Sequence, residues 1–548
     1  MLSLVKSLAI FALVFTLELP AARADDAVTE ALAQRIQELA ETPGAKVRGV
    51  SLLGSAFLAD FYARRDLSPA WTRPGQIDAF IAIVADARDD GLDPQDYLYD
   101  EIMALQRESA DTGSAFAAAD LDILLTAGVA RYGYHRAFGK VDSHKLDPNI
   151  NFRRELTDGE DPAETIQQAL DAPSLAEFLE AEFETGPLYQ GLQQVLTNYR
   201  DIAEAGGWEE VAQGPTLREG DAGPRVAALR RRLVVTGDLP ARVPDSGGEF
   251  DAAVAVGVRS FQERHALDAD GAVGPATLAA MNVPIERRIE QLRLSLERLR
   301  WLQYELEDEF VVVNIAGFRT AFVRGRRIEW ATRAMVGKAY RQTPVFRGDI
   351  RYLEMNPTWT IPPTILRNDV LPAIKRDPNY LTDRNITVID RDGRKVDPAT
   401  VDWSQYSRGV PYTLRQEPGP NNALGTIKFI FPNEHFVFLH DTPSRYLFER
   451  ASRAFSSGCI RVEDPLQLAE LLLDDPDKWD RRALEAKIEA GVTERIYLDD
   501  PVAVLIIYLT ASLQPDGRVR FLEDIYARDA ELLEALNAPP QLSLPGAG

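Results

Sequence analysis

Cysteine is nearly absent: the 548 residues contain one, Cys459. A solitary thiol cannot close an internal disulfide, and it cannot supply the paired Cys/His spacing of a zinc site. Packing or reactivity has to explain it. Histidine is scarce, at five residues, and no HExxH segment occurs. His135 and His144 could be weighed as metal ligands, but no cysteine lies near them and the acidic neighbours are scattered. Both read as ordinary surface or hydrogen-bonded histidines, so no metal and no organic cofactor is expected. Basic residues are in deficit, 61 against 84 acidic, for a net charge of −23. Such a surface repels nucleic acid and anionic lipid as main partners, and neutral or amine-bearing ligands fit better. Long apolar runs are missing beyond the N-terminus. The best of them, Val502 to Leu509, is strand-length and far short of the roughly 18 residues of a membrane helix.

The N-terminus has its own character. Lys6 supplies a positive charge, Ser7 to Leu19 is apolar apart from Glu18, and Ala22-Arg23-Ala24 ends in an A-x-A pattern before Asp25. Residues 1–24 therefore read as a secretory signal peptide, with an uncleaved anchor as the alternative, and the remaining chain is expected outside the cytoplasm. Its removal takes Lys6, Glu18 and Arg23, a net +1, and leaves −24. About 520 residues then remain, too many for one core, so several domains are expected.

Residues 25–215 carry apolar positions at three- and four-residue spacings: Leu32, Ile36 and Leu39; Ile77, Phe80, Ile81 and Val84; Leu121, Leu124, Leu125 and Val129. That period predicts a helical scaffold domain. Residues 216–283 differ. Gly220-Asp221-x-Gly223-Pro224, Phe250-Asp251 and Asp270-Gly271-x-Val273-Gly274-Pro275 punctuate short helical runs, predicting a small three-helix unit. The segment resembles the peptidoglycan-binding module of many wall enzymes, with Ala266 standing where that family often has glycine. Ile285, Ile289, Leu292, Leu296 and Leu299 predict an amphipathic helix over 284–304 that packs back onto the N-terminal helices. The small unit would then be an insertion in a discontinuous helical domain.

From 307 to 511 the period becomes two. Phe310 to Ile315, Ala321 to Val323, Arg327 to Met335, Phe436 to Leu439 and Val502 to Leu509 read as strands of a mainly-β sandwich or barrel. Asp464-Pro465 opens a helix over Leu466 to Leu473. Residues 512–548 read as a C-terminal strand, Arg518 to Phe521 after the Asp516-Gly517 turn, followed by a tail.

Cys459 lies in Ser456-Ser457-Gly458-Cys459-Ile460-Arg461, nineteen residues after His440. Attack on a carbonyl needs thiolate, and a free cysteine with a pKa near 8.5 is only a few per cent ionised at pH 7, so a histidine is the simplest remedy. Backbone N–H groups around Gly458 and Cys459 could bind an oxyanion, and Arg461 could hold a substrate carboxylate. The plainer alternative is a buried small hydrophobe beside a surface histidine.

The run from His440 to Val462 resembles the signature of the L,D-transpeptidases, a histidine followed by Ser/Thr-His-Gly-Cys-x-Arg/Asn. Arg341-Gln342-Thr343-Pro344, Asn356-Pro357-x-Trp359, and Arg415-Gln416-x-Pro418-Gly419-Pro420-x-Asn422-Ala423-Leu424-Gly425 are similar to further pieces of that family. The likeness is to its large multidomain periplasmic branch, in which serine precedes Gly-Cys, as Ser457 does here. The resemblance implies a thioester on Cys459 with loss of D-alanine from a tetrapeptide stem, then aminolysis to a 3→3 cross-link. It implies His440 as proton donor and acceptor, with Gly458, Ser457 and Arg461 around the substrate. It also implies peptidoglycan stems as donor and acceptor, acylation by carbapenems, and other wall-synthesis proteins as possible partners. Which group orients His440 stays open among Asp441, Ser456 and a backbone carbonyl. Residues 361–414 interrupt two motif-bearing stretches and are expected to form a partly ordered cap over the cleft. Rival readings are a wall amidase or glycosidase, and a scaffold that binds wall without reacting.

Overall fold

The computed structural model describes residues 21–42, 45–52, 54–156, 159–242, 248–407 and 409–540. Ser7 to Leu19 lie outside them. Among the described residues, no helix is long and apolar enough to cross a membrane.

The three- and four-residue spacings become helices because each buries a stripe in one shared core. Leu32, Ile36 and Leu39 do so from Ala21–Glu41, and Phe80 and Val84 from Gln76–Asp86. Ala115–Phe138 departs from that pattern: every residue from Ala119 to Val129 is buried, so it is the central helix of the body. Its two inward carboxylates are paired rather than apolar. Asp122 accepts from the backbone N–H groups of Ala70 and Trp71 and from the hydroxyl of Tyr62, and Asp120 accepts from Arg35 and Arg48.

The three-helix unit consists of Pro224–Val235, Ala252–Arg264 and Pro275–Met281 around a core of its own that includes Leu229, Leu233, Val254, Val258 and Phe261. Ala266 takes φ 52°, a left-handed conformation that costs an L-residue about 1 kcal/mol or more, which is the reason a glycine suits the position. Beyond the unit, the helix Ile285–Arg300 packs Leu292 and Leu296 against Leu192 and Leu196 of Pro187–Glu204. Fully buried Glu297 and Arg300 meet at 2.6 Å. Glu297 also accepts from Val141 N–H, and Arg300 donates to the Asp90 carbonyl and the Tyr189 hydroxyl.

The catalytic candidate is built on nine strands among the described residues: β1 Glu309–Asn314, β2 Arg319–Arg324, β3 Arg327–Gly337, β4 Phe346–Met355, β5 Ile427–Ile430, β6 Leu439–His440, β7 Ala454–Ser456, β8 Ile460–Val462 and β9 Glu494–Ile507. Their order is β7-β3-β8-β6-β5-β4-β9-β1-β2, and β2 pairs back onto β3, so the sheet closes on itself. Long β3 serves three neighbours, β2 along its first part, β8 through Ala334 and Met335, and β7 through Val336 and Gly337. The helix Pro465–Leu473 begins after β8, with Asp464 as its N-cap.

Two expectations need correcting. The C-terminal segment is more than a strand and tail: Ala511–Leu513 and Val519–Phe521 form a hairpin, and Asp529–Asn537 is a helix. The helix is held against Ile285–Arg300 by Arg298 on Asp529 at 2.7 Å and Arg293 on Asn537 at 3.0 Å. The segment 361–414 is a folded lobe rather than a partly ordered one. Leu366, Val370, Ile374, Leu381, Val388 and Leu414 form its core, and Thr413–Gln416 pairs with both Ile386–Ile389 and Trp359–Thr360.

Candidate active site

β6 and β8 run parallel, with Leu439 opposite Ile460 and His440 opposite Arg461. Side chains alternate along a strand, so fully buried Leu439 and Ile460 point into the barrel while His440 and Arg461 share its outer face. Cys459 precedes Arg461 by two residues and belongs to that face. Strand register therefore puts thiol and imidazole on one face of the sheet, on adjoining strands.

The expected strand Phe436 to Leu439 shortens to its last residue plus His440. The Asn433 amide fastens the preceding segment as a loop, its oxygen accepting from His435 and Val437 N–H and its nitrogen donating to the Phe431 and Val437 carbonyls. Phe436 is turned into φ 55° and the residue is 84% exposed. This loop faces the thiol: Sγ of Cys459 lies 3.7 Å from the Phe436 carbonyl.

The ring of His440 is oriented by a backbone carbonyl. Nδ1 lies 2.5 Å from the Asp441 carbonyl oxygen, which can only accept, so Nδ1 carries the hydrogen and Nε2 keeps its lone pair. The Asp441 carboxylate is engaged elsewhere, accepting from Thr426 N–H and hydroxyl and from Arg445. Gly425 has φ 65°, and a Cβ there would stand 2.5 Å from the Asp441 side chain, so only glycine fits against the residue that aims the ring. The Asn422 amide donates to the Pro357 and Glu417 carbonyls and accepts from Leu424 N–H, tying two of the sequence motifs into one bracket behind His440.

The loop bearing Cys459 is held from beneath. Ser456 Oγ donates to the Cys459 carbonyl and accepts from Gly458 N–H at 3.1 Å. The expectation of a free oxyanion donor at Gly458 thus does not match this conformation, because the nearer hydroxyl has taken that hydrogen. The Gly458 carbonyl accepts from Thr343 Oγ1 at 2.8 Å, and Thr343 Oγ1 in turn accepts from Gly337 N–H at 2.9 Å. Tyr526, from the C-terminal segment, accepts from Thr343 N–H and donates to the Gly337 carbonyl. Ser457 is exposed, and its hydroxyl accepts from Arg341, whose guanidinium also reaches Asp369 of the lobe at 2.7 Å.

Electrostatics favour a neutral resting pair. Burial, then the charge of Arg461 and less that of Lys428, pull His440 down to about 3 against the support of the Asp441 carbonyl. Burial pushes the Cys459 thiol up, while a hydrogen bond from Phe438 N–H and the charges of Lys428 and Arg461 oppose it. Burial lowers both cations. Such surroundings favour thiol and neutral imidazole at rest.

Arg341 and Thr343 stood in a quoted motif without a role, and Lys428 and Tyr526 were missed. Lys428 had a signal, a charge between inward Ile427 and Phe429; Tyr526 had none. His135 lies far from this chemistry, buried with Nδ1 3.0 Å from the Tyr97 hydroxyl, and His144 sits beside Asp142. Among the described residues, no group of three or more His, Cys, Asp or Glu is placed to hold a metal ion.

Comparison with known proteins adds three domain matches. Residues 308–498 match the family described as "L,D-transpeptidase catalytic domain", 222–281 that described as "Putative peptidoglycan binding domain", and 56–196 that described as "Scaffold domain". A curated protein of Haemophilus influenzae named "Putative L,D-transpeptidase" is 35% identical over 243 residues, 44% of this chain and 49% of that one. The chain thus spans about half the length of the curated relative it matches. A crystal structure of the L,D-transpeptidase (residues 123–326) from Xylanimonas cellulosilytica aligns with 54% of this chain and all of that one, at 16% identity and a TM-score of 0.18.

Proposed function

Starting from a chain that carries an L,D-transpeptidase catalytic domain beside a peptidoglycan-binding domain, we infer that it cross-links peptidoglycan stems in the cell wall or periplasm through a thioester on Cys459. The carrying observation is the shared outer face of β6 and β8, with Nδ1 of His440 committed to Asp441 and Nε2 left to take a proton.

Nε2 removes the thiol proton as Sγ attacks the carbonyl of the third stem residue. The tetrahedral intermediate collapses to the thioester, and the proton passes from Nε2 to the departing D-alanine amine. An amine of a second stem attacks the thioester and gives its proton to Nε2, forming a 3→3 bond, and the sulfur leaves and is reprotonated. Arg461 faces the donor and suits a carboxylate. The lobe 361–414 acts as a cap that keeps water from the thioester, fastened where Asp369 meets Arg341. The inserted three-helix unit holds the enzyme on its polymer.

Incubation with disaccharide-tetrapeptide and mass analysis of the products tests this reading. Loss of D-alanine with dimer formation is expected; glycan cleavage, or no reaction, overturns it.

A further inference from the structure

Pairing across five strands lines up one row of side chains on the outer face: Arg461 of β8, His440 of β6, Lys428 of β5, Glu354 of β4 and Arg495 of β9. The inward row beside it is Ile460, Leu439, Phe429, Leu353 and Ile496, all buried, which sets the orientation of both rows.

The charges in the outer row are unevenly matched. Glu354 is spent on Arg495, at 3.2 Å. Lys428 faces Glu354 across the strands and feels its charge, but makes no ion pair with it; its ammonium lies 3.8 Å from the centre of the Phe438 ring, and that ring lies 5.7 Å from the imidazole of His440. Arg461 likewise has no acidic partner among the described residues, and its buried Nε has no hydrogen-bond partner. Two cations that make no ion pair among the described residues, and that both face the Cys459 sulfur, thus flank His440, two strand spacings or about 10 Å apart, within reach of one another for side chains of their length. Keeping both half-desolvated without a close ion pair is costly, and a structure carries that cost where an anion completes the site.

The geometry points to an anion subsite, made by Lys428 together with Arg461 beside Sγ of Cys459, that takes a carboxylate of the donor peptide. Identifying that anion as the α-carboxylate of the leaving D-residue rests on the transpeptidase reading, because this group lies one residue beyond the scissile carbonyl. The pair then discriminates between stems: one ending in a free carboxylate is seated, and one already extended by an amide bond is not. Lys428 is a specificity-determining residue, with the Phe438 ring fixing its ammonium.

A measurement on the thiol alone separates the subsite from the activity. Iodoacetate and iodoacetamide alkylate the same thiolate and differ in charge, so the ratio of their rate constants cancels thiolate fraction and accessibility. In the full-length protein this ratio should exceed that of free cysteine by about tenfold, fall at least about threefold in Lys428→Met, and be retained in Lys428→Arg. Lys428 is on the outer face, so its truncation leaves no barrel cavity, and unchanged melting of each variant establishes folding. A wild-type ratio equal to that of free cysteine, or an unchanged ratio in folded Lys428→Met, overturns the subsite. With turnover, Lys428→Met should raise KM for a stem ending in carboxylate and leave KM for its carboxamide analogue unchanged; an equal rise for both overturns the assignment to the terminal carboxylate. An intact alkylation ratio in a protein that turns over no stem peptide supports the subsite while removing the transpeptidase reading.

Discussion

The protonation state of the dyad makes a sharp prediction, and pH is the perturbation. With His440 held near 3, its imidazole is neutral throughout the working range and offers no positive charge to the resting thiol. Burial keeps the Cys459 thiol above its ordinary value. Even at that ordinary value near 8.5, the thiolate fraction is only about 1% at pH 6.5 and changes tenfold for each pH unit below it. Alkylation of Cys459 by iodoacetamide, followed by intact mass after timed quenching, should therefore rise about a hundredfold from pH 5 to pH 7 and level off only above the usual thiol range. His440→Ala should follow the same slope, since a neutral ring is replaced by a neutral methyl. A thiolate–imidazolium pair behaves in the opposite way, with a rate flat from pH 5 to 7 and an inflection in acid. That plateau would refute the electrostatic account of the site.

Cys459→Ser and Cys459→Ala should abolish D-alanine release while retaining wall binding, and His440→Ala should lower turnover by about a hundredfold; a folded mutant with an unchanged rate removes that residue from its role. A carbapenem should add its mass once per chain, at Cys459, and an adduct persisting in Cys459→Ala would place the reaction elsewhere. Asp369→Asn should loosen the lobe from Arg341 and shift products from dimer toward hydrolysed tripeptide, whereas an unchanged ratio of transfer to hydrolysis would make the lobe structural only. Asp238→Ala strands buried Arg264, which Asp238 holds at 2.5 Å, and should destabilise the inserted unit by about 3–5 kcal/mol in denaturant unfolding; a change below 1 kcal/mol would contradict the pairing.

The candidate groups were legible because they are local. A lone cysteine after Ser-Ser-Gly and a histidine before Asp-Thr announce themselves by residue type, whereas the clash that fixes glycine at 425 needs Asp441 brought against it by the fold. Helical stripes and strand alternation were legible for the same reason, since each follows from the burial of one face. Ala115–Phe138 was only half legible, because burial on every side depends on the helices packed around it.

What the sequence by itself determined was the set of candidate reacting groups and the periodic elements that carry them, because backbone period and side-chain chemistry act over a few residues. What only the tertiary structure decided was who meets whom. Hydrogen-bonded register across β8, β6, β5, β4 and β9 placed Lys428 beside the dyad and spent Glu354 on Arg495. The return of the C-terminal segment put Tyr526 behind Thr343 and so behind Gly458. The choice of the Asp441 carbonyl over its carboxylate, and the loss of the free N–H at Gly458 to Ser456, were settled by competition among neighbours a hydrogen bond apart. Such competition turns on distances of a few tenths of an ångström, and no pattern along the chain encodes them.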